Sequence, residues 1–189
     1  MTPDRVLALF RESGALLEGH FRLSSGLHSG GYLQCALVLQ HPEHATTLGA
    51  ALAERARAWQ ATVVLSPALG GIVIGHEVAR GLGVRALFAE RLERELTLRR
   101  GFSLSAADRV LVVEDVVTTA GSTRETMEVA RAHGARVVGA AALIDRSIRS
   151  TNLDVPLVAL VRFPLPTFDP SECPQCAQGV PVIKPGSRT

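Results

Sequence analysis

Residues 110–123 read VLVVEDVVTTAGST, and this stretch decides the fold class. Its first four residues, Val110-Leu111-Val112-Val113, have the length and β-branched character of a strand buried on both faces. Two acids follow, Glu114 and Asp115, and after Val116 and Val117 comes a turn made of Thr118, Thr119, Ala120, Gly121 and Ser122. Ser122 stands three residues ahead of Glu125, the spacing of a capping box, so a helix is expected to start there. The first N–H groups of that helix lack intrahelical acceptors and face the strand end, where they can cradle a phosphate. Carboxylates repel a phosphate, so Glu114 and Asp115 need another partner. The two hydroxyls of a ribose, with a divalent cation nearby, would satisfy them.

The plainer alternative is a buried strand, a solvated acidic pair and an ordinary capped helix, a unit that any α/β protein contains. The common phosphate loops fit poorly. A Walker loop needs lysine after its second glycine, whereas Ser122 follows Gly121, and GxGxxG does not occur in the chain. Sugar-phosphate binding is the reading that uses every residue of the stretch.

EDVVTTAGST resembles the signature of the type I phosphoribosyltransferases, which bind 5-phosphoribosyl-1-diphosphate (PRPP). The resemblance implies that Glu114 and Asp115 hold the ribose hydroxyls, that Thr118 to Ser122 bind the 5-phosphate with Val116 and Val117 in the same PRPP-binding stretch, and that Mg²⁺ accompanies the diphosphate. Ala120 stands where many members carry glycine, and it can present its N–H if its φ is negative.

Composition agrees with such an enzyme. A chain of 189 residues that is 47% hydrophobic can bury one sizeable core, so a single domain over 1–189 is expected. A net charge of +2 offers no large basic field, so nucleic-acid binding gains no support. No apolar run approaches the length of a membrane span, and the start MTPDRVLALFRE does not read as a signal peptide. Three cysteines make no disulfide framework, and a cytoplasmic location is the default. Lys184 is the only lysine, every other basic residue apart from histidine being arginine.

Outward from 110–123, strands and helices alternate. Helices are expected from Pro3 to Gly14, from Pro42 with Leu48, Leu52 and Ala56 on one face, over 71–81 and over 122–133. Strands are expected over 62–66, 84–88, 109–113, 137–144 and 157–163. The fold class is therefore α/β, a mainly parallel twisted sheet with helices on both faces, in which ligands bind beyond the carboxyl ends of the strands. Residues 15–40 read as loops with short strands, a small N-terminal hood, and the tail over 164–189 reads as irregular.

Three further segments carry chemistry. Ser66-Pro67-Ala68-Leu69-Gly70-Gly71 follows a strand and precedes an apolar helix, and its glycines let the backbone approach an anion closely. On its own it is equally a tight turn. The resemblance implies that Leu69, Gly70 and Gly71 hold the diphosphate of PRPP, with Gly71 where orotate-type enzymes often carry lysine. Residues 90–103, ERLERELTLRRGFS, are dense in charge, and Leu96-Thr97-Leu98 alternates as a ribbon strand would. An amphipathic solvated helix is the competing assignment; a mobile lid is favoured. The resemblance implies that its basic residues reach the diphosphate in the neighbouring subunit of a homodimer, with Arg91 and Arg94 in place of two lysines. Arginine binds diphosphate through its fork but cannot donate a proton near neutral pH.

The acceptor base is addressed by two cues. Residues 20–35, HFRLSSGLHSGGYLQC, resemble the hood segment of orotate phosphoribosyltransferases, with His28 where many carry lysine. Arg146 ends the strand LID before it, and a fixed guanidinium fork suits an anionic pyrimidine carboxylate; the alternative is a plain ion pair with Asp145. The resemblance implies Thr118, Arg146, His28 and Tyr32 as the orotate contacts. The implied reaction joins orotate to PRPP and releases orotidine 5′-phosphate and diphosphate, in pyrimidine synthesis, as in a thermophile-like bacterial subgroup lacking the usual lysines. A transferase for another base, or a regulator that senses PRPP without transfer, would share the PRPP motif.

One motif stands apart. The tail holds a single CxxC, Cys173 and Cys176, which supplies two of the four ligands a structural zinc wants. His20, His41, Cys35 or a partner subunit could complete the set, and spacing does not choose among them.

Overall fold

The computed structural model describes residues 1–23 and 25–185. Its centre is a six-stranded sheet, formed by β3 (Val63–Pro67), β4 (Arg85–Leu92), β5 (Glu95–Leu98), β6 (Arg109–Val117), β7 (Arg136–Asp145) and β8 (Leu157–Arg162), in the order β5-β4-β3-β6-β7-β8. All neighbours run parallel except β4 and β5, which form an antiparallel hairpin. β3 is buried along its whole length, and β6 and β7 are nearly so, as expected of parallel strands covered on both faces.

The helices divide between the faces. α1 (Pro3–Glu12), α2 (Cys35–Leu39), α3 (Pro42–Ala56) and α4 (Gly70–Leu82) pack on one side, where Leu48, Leu52, Ile74, Leu111 and Val113 share a core. α5 (Gly121–Ala132) covers the other side, where Met127 and Ala130 meet Leu65, Val110 and Val112. Local signals set the helix ends. Pro3 opens α1, Thr2 Oγ1 accepts the Arg5 N–H at 3.4 Å, and α4 stops at Gly83 in the left-handed region (φ 73°). β6 splits its side chains between the faces: Val110 and Val112 point to α5, Leu111 and Val113 to α4.

Two elements differ from the sequence expectation. β4 runs to Leu92 rather than 88 and β6 to Val117 rather than 113. Pairing supplies the reason: Ala89–Leu92 bond to β5, and Val116 and Val117 sit opposite Ile144 and Asp145 of β7. The described part of the tail, 164–185, is irregular but for short elements that join the hood, and 186–189 lie outside the described residues. β1 (Leu16–Arg22) and β2 (His28–Leu33) form an antiparallel hairpin, and β9 (Thr167–Phe168) joins its edge, pairing His28 with Phe168 and Ser29 with Thr167. A further bridge ties Phe21 to Ile183. The hood is thus built from both ends of the chain, and α6 (Pro174–Ala177) sits on it.

Candidate active site

The strand-to-helix crossover after β6 places both acids at the carboxyl end of the sheet. Alternation along β6 sends them to opposite faces. Glu114, on the α5 side, is 5% exposed, and its carboxylate accepts hydrogen bonds from Ser122 Oγ (3.0 Å to each oxygen) and Thr123 Oγ1. Asp115, on the α4 side, accepts the Val116 N–H through Oδ1 at 2.9 Å and faces the backbone of Gly70. Burial raises the pKa of both carboxyls; for Glu114 the Thr123 and Ser122 hydroxyls pull the other way.

The helix start differs from the capping box expected. α5 begins at Gly121, its N-cap is Ala120, and the Ser122 hydroxyl is turned to Glu114 instead of to the helix backbone. Ala120 has φ 59°, not the negative value expected, so a residue with a Cβ occupies the left-handed region at a cost of about 1–2 kcal/mol. A positive φ is where glycine is favoured, the residue that the resemblance places at this position. The Arg124 N–H closes the first turn on the Ala120 carbonyl (3.0 Å), leaving the preceding N–H groups free of intrahelical acceptors.

The loop after β3 approaches from the other side. A Cβ at Gly70 would lie 2.7 Å from Asp115 Oδ2, a contact no side chain tolerates, so glycine is required for the loop to reach the acid. Leu69, which is 84% exposed, Gly70 and Asp115 line a cavity of about 300 Å³ with Gln34, Gln40 and Val73. The Ala68–Leu69 peptide is cis. Gly71 packs within α4 against the Val113 carbonyl, where a Cβ would stand 3.0 Å from the oxygen.

A second cavity, of about 990 Å³, brings Thr118 and Thr119 together with Arg146, Leu23, Ser25 and Thr167. Arg146 follows β7 and its N–H bonds the Val117 carbonyl at 2.8 Å, which fixes the residue beside the 5-phosphate loop. No ion pair engages it among the described residues, and its buried Nε has no partner. Asp145 does not pair with it; that carboxylate accepts the Ser147 N–H instead. Burial lowers the Arg146 pKa. A half-buried guanidinium with no carboxylate beside it is costly unless a ligand supplies one.

The acidic pair, the strand-to-helix turn and Arg146 thus stand together at the carboxyl end of the sheet, and comparison with known proteins gives the family. The phosphoribosyl transferase domain family matches residues 36–156. An orotate phosphoribosyltransferase of Pelotomaculum thermopropionicum is 53% identical over 188 residues, covering 100% of this chain and 99% of that protein. One of Erythrobacter litoralis is 52% identical over 191 residues, covering 100% and 99%. The chain belongs to the orotate phosphoribosyltransferase family. Among solved structures, the Aeropyrum pernix orotate phosphoribosyltransferase superposes with TM-score 0.70 at 24% identity, covering 84% of this chain and 93% of that one. The Mycobacterium tuberculosis enzyme in complex with PRPP gives 0.65 at 23%, covering 85% and 96%. These structures share the type I phosphoribosyltransferase fold.

Other sequence candidates of this phosphoribosyltransferase lie outside the two cavities. Arg91 is on β4 and pairs with Glu125 of its own α5 (2.6 Å), and it also donates to the Arg94 carbonyl. Arg94 is exposed in the β4–β5 turn beside Glu93 (φ 55°). The charged segment is therefore a β-hairpin, anchored by Leu96 in the α5-side core, and neither Arg91 nor Arg94 lines the two cavities. Tyr32 packs against Phe21 in the hood, ring centroids 6.1 Å apart. His28 is not on the cavity wall: it is 6% exposed and its Nδ1 stands 2.9 Å from His20 Nε2, because the pleat of β2 turns its side chain toward the tail.

Arg124 was not expected. It lines the larger cavity and donates to the Thr119 and Thr151 carbonyls at 2.7 and 2.8 Å, clamping the phosphate loop to the segment after β7. A cation in the first turn of a helix opposes the helix dipole, and that mismatch was the available signal. Leu165 and Thr167 of the tail also line the cavity, and nothing local in their sequence announced it.

Proposed function

We propose that this chain transfers the 5-phosphoribosyl group of PRPP to orotate, giving orotidine 5′-phosphate and diphosphate in pyrimidine nucleotide synthesis. The observation that carries the reading is Arg146, a half-buried guanidinium without an anionic partner, standing beside Thr118 at the rim of the phosphate loop. A pyrimidine carboxylate supplies the missing charge, and a neutral purine does not.

In this reading residues 116–122 receive the 5-phosphate through backbone N–H groups and hydroxyls, and Asp115 accepts from the ribose. Leu69, Gly70 and Gly71 bring backbone to the diphosphate, and Thr118 and Arg146 orient orotate. Glu114 braces the loop through Ser122 and Thr123, so its role is to hold the cradle's shape. Asp115 Oδ2 faces the diphosphate loop with no hydrogen-bond donor on it, which suits a hard cation shared between one carboxylate and substrate phosphates. Mg²⁺ bound there with PRPP would neutralise charge on the departing diphosphate. The anomeric carbon passes through an oxocarbenium-like state, so the protein's work is positioning and charge stabilisation, with no covalent nucleophile.

The hairpin tip fits a role in a second subunit. Arg94 is exposed and lines neither cavity, so we assign Arg91 and Arg94 to the diphosphate of a neighbouring chain in a homodimer. The reading also carries a cytoplasmic location.

The test is loss of orotate absorbance with PRPP and Mg²⁺, with uracil, adenine, guanine and xanthine in parallel. Turnover with orotate alone is expected. Turnover with another base would discard the assignment of Arg146, and PRPP binding without any transfer would replace the enzyme with a PRPP sensor.

A further inference from the structure

Four side chains that the transfer reaction does not use converge where the tail meets the hood. His20 comes from β1, His28 from β2, Cys173 caps α6 and Cys176 lies within it, and their ligating atoms all fall within 4.8 Å of one another. The closer pairs are His20 Nε2 to His28 Nδ1 at 2.9 Å, to Cys173 Sγ at 3.4 Å and to Cys176 Sγ at 3.7 Å, with His28 Nδ1 to Cys176 Sγ at 3.3 Å. A tetrahedral zinc with ordinary Zn–N and Zn–S bonds has ligand-to-ligand edges of about 3.3 Å for N–N, 3.6 Å for N–S and 3.8 Å for S–S. These four pairs match those edges to within about 0.4 Å, and the remaining pairs stay within 4.8 Å.

Protonation points the same way. His20 Nδ1 lies 2.8 Å from the Val180 carbonyl oxygen, which can only accept, so Nδ1 carries the proton. In the neutral ring Nε2 is then a lone pair, and it faces the two sulfurs and the second imidazole. That backbone contact is the outer partner that orients a metal-ligating histidine. His20, His28 and Cys173 are 2%, 6% and 3% exposed. Each thiol has an imidazole nitrogen within hydrogen-bond reach, Cys173 with His20 and Cys176 with His28, but pairwise bonds do not require all four atoms to converge on one point, as they do here. A cation at their centre satisfies all four. Cys35 and His41, the other candidates from the sequence, are elsewhere: Cys35 is buried in the α4-side core and His41 stands beside His44 at the start of α3.

We infer that His20, His28, Cys173 and Cys176 form a structural Zn²⁺ site that staples the C-terminal tail to the N-terminal hood. The donor set is mixed thiolate and imidazole with all four positions filled by protein, which favours zinc over hard cations and leaves no open position for catalysis. The staple closes the hood sheet. β9 pairs with β2 beside His28, and the tail carries Leu165 and Thr167 on the wall of the larger cavity. The site is independent of which base the enzyme uses.

Metal analysis of the full-length protein, purified without chelator from zinc-containing medium, tests this. About one zinc per chain is expected. Cys176→Ser should lose most of it, whereas His41→Ala should keep it. Dialysed wild-type protein refilled with Co²⁺ should show the intense sulfur-to-metal absorption and visible bands of a tetrahedral thiolate site, a readout that does not depend on any variant folding. Removing the metal should raise hydrogen exchange in β1, β2 and β9 while β3, β6 and β7 keep their protection. Zinc well below stoichiometry with no thiolate–cobalt absorption would overturn the site. So would a Cys173–Cys176 disulfide in freshly purified protein. Unchanged exchange in β9 after metal removal would overturn the staple.

Discussion

At Asp115 the cost of the site is local. Burial raises the carboxyl pKa of both Asp115 and Glu114, so folding favours their protonated forms. The stability contributed by such groups is full below their unfolded pKa of about 4 and is lost as pH rises through the raised folded values. Asp115→Asn should therefore melt above the parent near neutral pH, with the gap closing toward about pH 4, while kcat/KM for PRPP falls by about 10²-fold or more. Thermal melts at both pH values and steady-state kinetics check the pair; an unchanged kcat/KM would remove Asp115 from the ribose. Arg146→Ala removes a cation with no ion pair among the described residues, and under the proposed assignment it should raise the orotate KM by about 10-fold or more and leave the PRPP KM within about threefold. Equal effects on both substrates would count against a carboxylate clamp. The strand-end arginine was legible in the sequence because its chemistry is in the residue type. The division of labour between Glu114 and Asp115 was not, since it depends on which face of β6 each occupies.

At the scale of elements, the approach of the β3–α4 loop to β6 is set by absent atoms. Gly70→Ala would push a Cβ into the Asp115 carboxylate, and an expected fall of about 10- to 100-fold in kcat/KM for PRPP should come with little loss of stability. Gly83→Ala is the contrast. It sits in open space at the end of α4 with φ 73°, so it should cost about 1 kcal/mol in denaturant unfolding and leave kinetics unchanged. The alternating strands and helices of the central sheet could be read directly, because buried parallel strands are continuous apolar runs. The β4–β5 hairpin was harder: past Ala89 the chain is charged and largely exposed, and the pairing of residues 89–92 with 95–98, not an apolar run, makes it strand. The tail was illegible for a similar reason. Two residues of β9 find partners 138 and 140 positions away, Thr167 against Ser29 and Phe168 against His28, and no local pattern encodes that.

For the whole molecule, the placement of Arg91 and Arg94 outside their own cavities makes the dimer testable by mixing. Arg94→Ala and Asp115→Asn should each be poorly active alone. After mild dissociation and reassociation together, about half the dimers are mixed and each has one intact composite site, so roughly a quarter of parental activity should return. Activity that stays at the sum of the two variants would place the hairpin in its own chain's site. The hood has a different consequence. The six strands of the sheet, Asp115, Arg146 and the phosphate loop all precede β9 and the two cysteines in the chain. Synthesis runs from the amino terminus, so a nascent chain can assemble the sheet while the segment bearing Leu165 and Thr167 is still inside the ribosome. The wall of the larger cavity is therefore finished last, by the residues made last.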